Sequence, residues 1–311
     1  LHDKIRERKL LDADIYYMAP TPYNPRALFE NNIIYRRNVA GKMRRYFSVF
    51  NLFDFFRTGW GIVTALWQIF FIFPDVIFGK GGYASFPTLF AARIYKIPVM
   101  IHESDTVPGI TNAWAAKFAK RIAVSFPEAG QHFPQQKVAY TGNPIRKEIM
   151  YPVTSGAQEY LNLESEIPVI LILGGSQGSE RVNESVTDVL AKLVENYQII
   201  HQTGKKNFEQ MKNTANLVLE KSPHKYRYKP FDYLSDLALR MAAGAAKLVI
   251  SRAGSTLFEI AAWGKPAILI PLRQAAQDHQ RKNAYEYAGG GAAVIIEEAN
   301  LSPHILLAEI K

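Results

Sequence analysis

Cysteine is absent from this chain of 311 residues, which excludes disulfides and thiolate chemistry and makes a reducing cytosol its default setting. The seven histidines show no paired ligand spacing, so no histidine-built metal site is expected. No secretory pattern opens the chain, and it starts on Leu1, which reads as a fragment of a longer protein. A membrane span needs about 20 apolar residues. The charge-free segment 58–73 stops at sixteen and is interrupted by Gln68.

What is present is a hydrophobic content of 48%, enough for a large core and two domains. The net charge of +9 is uneven: residues 1–150 hold 20 Lys+Arg against 11 Asp+Glu, and residues 151–311 hold 17 of each. A nucleic acid, an anionic membrane surface or a phosphorylated substrate would each account for a basic first half. Arg36, Arg37, Lys42, Arg44 and Arg45 run into the apolar segment 58–73, in which Trp60 and Trp67 stand seven apart on one helical face. We read a partly buried helix whose outer side, with its basic neighbours, dips into a bilayer surface. A wholly buried core helix and a transmembrane helix are the alternatives. Base-stacking aromatics are not interleaved with these charges, so nucleic acid is not the expected partner.

The rest of the chain alternates. Segments 14–19, 75–79, 97–103, 121–126 and 137–144 read as short strands, and 168–175, 197–204, 246–254, 266–271 and 292–298 repeat the scheme. Val/Ile-rich strands with helical spacers predict parallel sheets covered on both faces. The segment 143–160 has no strand pattern and reads as an interdomain link. The expected fold class is α/β: two Rossmann-like domains facing a cleft, at 1–147 and 148–311.

Ligands in such sheets lie beyond the carboxyl ends of the strands. "LILGGSQGS" puts Gly174, Gly175, Ser176, Gln177 and Gly178 between a buried strand and a helix, an arrangement that suits a phosphate. It lacks the Lys and Ser/Thr of a P-loop and the G-x-G-x-x-G spacing. The next strand also ends without a ribose-binding acid, so NAD is disfavoured. "SRAGSTLFE" gathers Arg252, Gly254, Ser255, Thr256 and Glu259 at a second strand-to-helix turn. In the first half, "FGKGGYASFP" ends a strand with Gly79, Gly81 and Gly82, and "HESDTVPGITN" follows the next with Glu103 and Asp105. Carboxylates there are candidates for binding or proton transfer; helix capping and structural pairing are the plainer roles. "DAD" at 12–14 precedes a strand and reads as surface.

Taken in order, "GKGGYASFP", "HESDTVPGITN", "TGNPIR", "ILGGSQGS", "SRAGSTLFEIAAWGKPAILIP" and "QDHQRKNA" resemble the motifs of MurG-type glycosyltransferases over nearly the whole chain. The resemblance implies a GT-B fold and a peripheral enzyme on the cytoplasmic side of the bacterial membrane. Its implied reaction moves GlcNAc from UDP-GlcNAc to lipid I with inversion, using no cofactor and no protein-held metal. It further implies donor contacts at Arg146, Ser176, Gln177, Leu234 (beside the uracil), Arg252, Gly254, Ser255, Thr256 and Glu259 (the ribose). Asp278, His279 and Gln280 would read the sugar, with Asp105 near the GlcNAc. Gly79, Gly81, Gly82 and Tyr83 would face the acceptor. The family's favoured base is the histidine of its first glycine-rich loop, and Glu103 and Asp105 are the candidates for the catalytic proton transfer within this sequence.

The "RAG…E" segment is one residue shorter than in the family, which shifts the roles of Ser255 and Thr256 by up to one place. The family's first strand and its histidine-bearing loop, and its closing helices, have no counterpart in this sequence. Another GT-B enzyme, a glycolipid glycosyltransferase or a UDP-GlcNAc epimerase, is the alternative.

Overall fold

A computed structural model describes residues 13–42, 50–175, 178–273 and 275–311. The chain divides into two compact units, Leu1–Gly142 and Asn143–Lys311.

Unit 1 begins with β1 (Ile15–Ala19), α1 (Pro25–Glu30) and β2 (Ile33–Arg37), a parallel pair. Then come α2 (Phe50–Ile72), β3 (Ile77–Gly79), α3 (Phe86–Ile94), β4 (Val99–Glu103), α4 (Ile110–Ala115), β5 (Arg121–Val124), α5 (Pro127–Gly130) and β6 (Val138–Tyr140). Strands β3 to β6 form a second parallel sheet in chain order, separate from β1–β2. Its core joins Leu89, Val99, Ile101 and Ile122 to Ala65 and Ile69 of α2.

Helix α2 is longer than the charge-free run on which the sequence reading rested, because Asp54 is buried and its turn continues the helix. Gly61, Ala65 and Ile69, spaced by four, form the inner stripe. A Cβ on Gly61 would lie 2.0 Å from the Val39 carbonyl oxygen, so only glycine lets that strand exit pass. Gln68, which breaks the apolar run, donates from Nε2 to the Arg37 carbonyl at 2.9 Å. The outer side carries Phe53, Phe56, Trp60, Val63, Trp67, Phe70 and Phe71, each more than half exposed. By length and composition alone α2 would pass for a membrane span.

Unit 2 contains α6 (Lys147–Met150), α7 (Ala157–Leu161), β7 (Val169–Leu173), α8 (Glu180–Asn196), β8 (Gln198–Gln202), α9 (Phe208–Val218), β9 (Tyr228–Phe231) and α10 (Asp236–Ala245). It closes with β10 (Ala246–Ser251), α11 (Thr256–Trp263), β11 (Ala267–Leu269), α12 (His279–Gly289), β12 (Ala293–Ile295) and α13 (Pro303–Ile310). The six strands form one parallel sheet in the order β12-β11-β10-β7-β8-β9. Strand β7 is fully buried, as its unbroken apolar run requires, and the core packs Val186, Val189, Leu190 and Leu193 of α8 over it.

Residues 143–147, counted with the first domain on sequence grounds, fold with unit 2. Arg146 pairs with Asp236 at 2.5 Å, and Trp263 Nε1 donates to the Ile149 carbonyl at 2.8 Å. The link segment is not featureless: α6 and α7 lie within it.

Two strands escaped the sequence reading, β2 and β9, and both are edge strands. Arg36 and Arg37 masked the first; Lys229 and Pro230 masked the second, and proline is tolerated only where a strand's amides need no partner.

His201 of β8 is fully buried. Asn183 Nδ2 donates to the Thr203 carbonyl, which leaves its Oδ1 to accept from His201 Nε2 at 3.0 Å. Nδ1 then accepts from the Tyr228 hydroxyl at 3.0 Å, so the ring is neutral with one proton. Burial pushes this imidazole down to about 3. An unfolded histidine titrates near 6.5, so His201 gives its full stabilisation above that pH and loses it as pH falls towards the folded value. Its share of the slope should approach about 1.4 kcal/mol per pH unit between pH 6 and pH 4. Urea titrations of the parent and His201→Gln across this range should show a steeper loss in the parent. Parallel pH profiles would refute the assignment.

Candidate functional site

The chain runs outward through β7, β8 and β9, returns, and runs the other way through β10, β11 and β12. The reversal lies between β7 and β10, and in open parallel sheets ligands lie beyond the carboxyl ends at such a point. Leu173 pairs with Ser251, and Ser251 Oγ donates to the Leu173 carbonyl at 3.2 Å, so the two strands end level.

After β7 the chain turns on glycines. Gly175 has φ +83° and opens on empty space. Gly178 has φ +77°, and a Cβ there would lie 2.2 Å from the Thr203 carbonyl oxygen, so no other residue fits. Ser179 then caps α8 by accepting from Val182 N. Ser176 and Gln177 lie outside the described residues. Gln202, at the end of β8, donates to the Gly175 carbonyl and accepts from Leu234 N at 3.0 Å, tying neighbouring loops together.

After β10 the helix start is different. No side chain caps α11, Ser255 is exposed, Thr256 is half-buried, and a Cβ on Gly254 would meet nothing within 4 Å. Backbone amides at an open, uncapped helix start attract an anion. One turn in, Glu259 is half-buried. Burial pushes its carboxyl up, Arg146 pulls it down and Asp236 pushes it up again. Arg146, Asp236 and Glu259 thus form one charged group from the start of α6, α10 and α11.

Three expected contacts behave otherwise. Arg252 is only 12% exposed in its side chain, and its guanidinium is spent on the protein: Nε donates to Ser179 Oγ at 2.9 Å, Nη1 to the Ile270 carbonyl at 3.0 Å and Nη2 to Glu298 Oε1 at 2.5 Å. Leu234 is 1% exposed and belongs to the core; Tyr233 beside it is the exposed ring of that loop. Gln280 turns back on its own loop, its Oε1 accepting from Leu272 N at 3.0 Å. Asp278 adopts φ +57° ahead of α12 and lies 3.7 Å from Arg281, while His279 is half-buried beside it.

Unit 1 has its own cluster at the ends of β3 and β4. Glu103 is buried, and both its oxygens are engaged: Oε1 accepts from Asp105 N at 3.2 Å, and Oε2 from Gly109 N at 3.0 Å and Asn112 Nδ2 at 2.9 Å. Burial pushes this carboxyl up, and the three donors pull against it. Glu103 therefore braces the 104–109 loop, a different task from the proton transfer expected of it. Asp105 is half-buried on that loop. Gly81 has φ +80°, and a Cβ there would lie 2.8 Å from the Asn112 amide. Gly79 packs on Leu89, whereas Gly82 and Tyr83 are exposed. Lys80 is pushed down by burial, against the pull of Glu103 and Asp105. Among the described residues no cluster of metal-ligating side chains occurs.

Sequence reasoning missed Lys80, Asn112, Ser179, Gln202, Asp236 and Glu298. The cue that found Glu103, a carboxylate at a strand's carboxyl end, applies equally to Glu298 in "AAVIIEE".

Two family models match: the glycosyltransferase family 28 N-terminal domain over residues 14–124 and the family 28 C-terminal domain over residues 169–311. A curated relative from Bacillus thuringiensis (strain Al Hakam), a UDP-N-acetylglucosamine–N-acetylmuramyl-(pentapeptide) pyrophosphoryl-undecaprenol N-acetylglucosamine transferase, is 35% identical over 96% of this chain and 82% of its own length. One of the same description from Clostridium kluyveri is 35% identical over 99% of this chain and 85% of its own. Among solved structures, Acinetobacter baumannii MurG superposes with a TM-score of 0.69 at 27% identity, covering 99% of this chain and 83% of that one. A putative UDP-N-acetylglucosamine 2-epimerase from Listeria monocytogenes also gives 0.69, at 13% identity, over 100% of this chain and 83% of that one; it shares the fold.

Removing the Glu103 carboxylate strands three donors, and an unsatisfied buried donor costs about 1–3 kcal/mol. Glu103→Ala should lower the unfolding free energy by about 3 kcal/mol in urea denaturation. A loss below about 1 kcal/mol would mean that the 104–109 loop is held by something else.

Proposed function

The chain belongs to glycosyltransferase family 28, and we infer from its site how it carries out that family's chemistry. It is a GT-B enzyme that transfers N-acetylglucosamine from UDP-N-acetylglucosamine to lipid I, giving lipid II and UDP. It works as a peripheral protein on the cytoplasmic side of the membrane.

The observation that carries our reading of the donor site is the uncapped start of α11 with Glu259 one turn in. In this proposal the amides at Gly254, Ser255 and Thr256, with the two hydroxyls, receive the pyrophosphate. Glu259 accepts both ribose hydroxyls, a charge-assisted pair of hydrogen bonds. Arg146 stands beside Glu259 and favours its ionised form. As the bond from the anomeric carbon to the pyrophosphate oxygen breaks, negative charge grows on the departing UDP. Oriented amides and a nearby guanidinium stabilise that charge without reorganising. The acceptor hydroxyl forms the new bond on the opposite face and gives up its proton to a base.

Of the two acids first considered, Glu103 is buried and Asp105 half-buried, so in this proposal Asp105 is the one that meets the acceptor hydroxyl as base. Asp278, His279 and Gln280 are assigned to the sugar hydroxyls. Gln280 does this through its amide nitrogen, since its oxygen is held by Leu272 N. Gly82 and Tyr83 form the open part of the acceptor loop. The epimerase alternative shares the fold alone, whereas the relatives at 35% identity carry the transferase description.

Glu259→Ala should weaken UDP-N-acetylglucosamine binding by about 1.5–3 kcal/mol, the range for hydrogen bonds to a charged group. Calorimetry giving the parent's affinity would remove the ribose assignment.

The outer side of α2 is assigned to the membrane surface. Parent protein should sediment with anionic vesicles and come off as salt is raised, since each basic residue near the surface contributes about 1 kcal/mol. Trp60→Ser with Trp67→Ser should cut sedimentation at least about 10-fold, because inserting a large side chain is worth roughly 1.5–3 kcal/mol. Equal sedimentation of parent and double variant would count against α2 as the docking element.

A further inference from the structure

Arg252 and Glu298 are joined in a way the donor chemistry does not require. Their side chains are 12% and 16% exposed. Every described bond of the guanidinium ends on a different loop at the same edge of the sheet. Nε reaches Ser179, the cap of α8 in the loop after β7; Nη1 reaches the Ile270 carbonyl after β11; Nη2 reaches Glu298 after β12. Arg252 itself follows β10. Glu298 completes the set, because its second oxygen accepts from Arg273 N at 3.1 Å. That bond holds the base of the 271–278 loop, which leads into Asp278, His279 and Gln280.

Described residues of four loops around the switch point (Ser179, Arg252, Ile270 with Arg273, and Glu298) are thus joined through one planar, three-pronged side chain and one carboxylate. A guanidinium suits this task because its donors point in fixed, divergent directions in one plane. Glu298 is the partner that keeps the charge from being buried alone, and a buried charge that loses its partner is strongly unfavourable.

We propose that the Arg252–Glu298 pair is the positioning element of the donor site, holding the start of α8 at Ser179, the turn after β10 and the strand exits of β11 and β12 in the one arrangement that receives the nucleotide, without contacting it. This rests on the donor-site reading above and replaces the ligand contact first expected of Arg252. The two views make opposite statements about Glu298. If Arg252 touched the pyrophosphate, loss of Glu298 would leave UDP affinity intact or raise it by freeing the guanidinium. If the pair positions the loops, Glu298 matters as much as Arg252, although it is a carboxylate beside an anion site.

The test is UDP and UDP-N-acetylglucosamine affinity by calorimetry, with steady-state kinetics, for Arg252→Met, Glu298→Gln and the double variant. Measurements are made well below each thermal midpoint. Each single variant should weaken UDP binding about 10-fold and raise KM for the sugar nucleotide by a similar factor, with a smaller change in kcat. The double variant should be no weaker than Arg252→Met, since both substitutions release the same clamp. Ser179→Ala, which removes one prong and keeps the ion pair, should fall between parent and single variants; it reads the same effect if Arg252→Met does not fold. Parent-like UDP affinity in Glu298→Gln would overturn the proposal, whether or not its thermal midpoint falls, and so would additive losses in the double variant. Failure of the parent itself to bind UDP would instead overturn the donor-site reading on which the proposal stands.

Discussion

The pairing of β7 with β10 is the constraint on which the functional half of the molecule depends. Two strands far apart in sequence lie side by side and end level, and the chain leaves them in opposite directions across the sheet. Two strand-to-helix turns are therefore neighbours. One turn is closed by Ser179 over the start of α8; the other leaves the start of α11 open. The asymmetry gives the site its direction: one helix start is capped by a side chain and the other is not.

Much of this was legible in the sequence. Val/Ile-rich strands, glycine punctuation and helical spacers fixed an α/β chain with parallel sheets, and the strand-to-helix turns marked the carboxyl edges because few other contexts need glycine, hydroxyl and acid together. What the sequence did not show was which polar group points outward. Arg252 and Glu259 belong to one short stretch, yet the Arg252 guanidinium is taken up by Ser179, Ile270 and Glu298 while Glu259 is half-buried near Arg146. Glu103 looked like a reagent and is a brace, because its partners are backbone amides of its own loop, which any residue type supplies. Leu234 stands beside the uracil only by the family resemblance, and its apolar side chain is buried in the core. The edge strands β2 and β9 were hidden for a related reason: lacking two covered faces, they have no need of the apolar run that reveals β7.

Unit 1 combines two demands on one helix. The inner stripe of α2 is small and tight, with glycine where a strand exit crosses it, while its outer side carries large aromatic groups that are exposed among the described residues. The exposure follows from the helix packing along one stripe only. Gln68 shows how closely the two sides are divided: a polar group in the middle of the apolar run is held by a backbone carbonyl instead of being left to the apolar side.

The division of unit 1 into a two-stranded and a four-stranded sheet has a physical consequence of its own. Among the described residues β1, β2, β3 and β6 each have a single neighbouring strand, so one unit presents four open ladders where a continuous sheet would present two. Unpaired amides and carbonyls in extended register recruit further strands. Among the described residues these edges are the places in unit 1 where a further strand could add by backbone pairing alone.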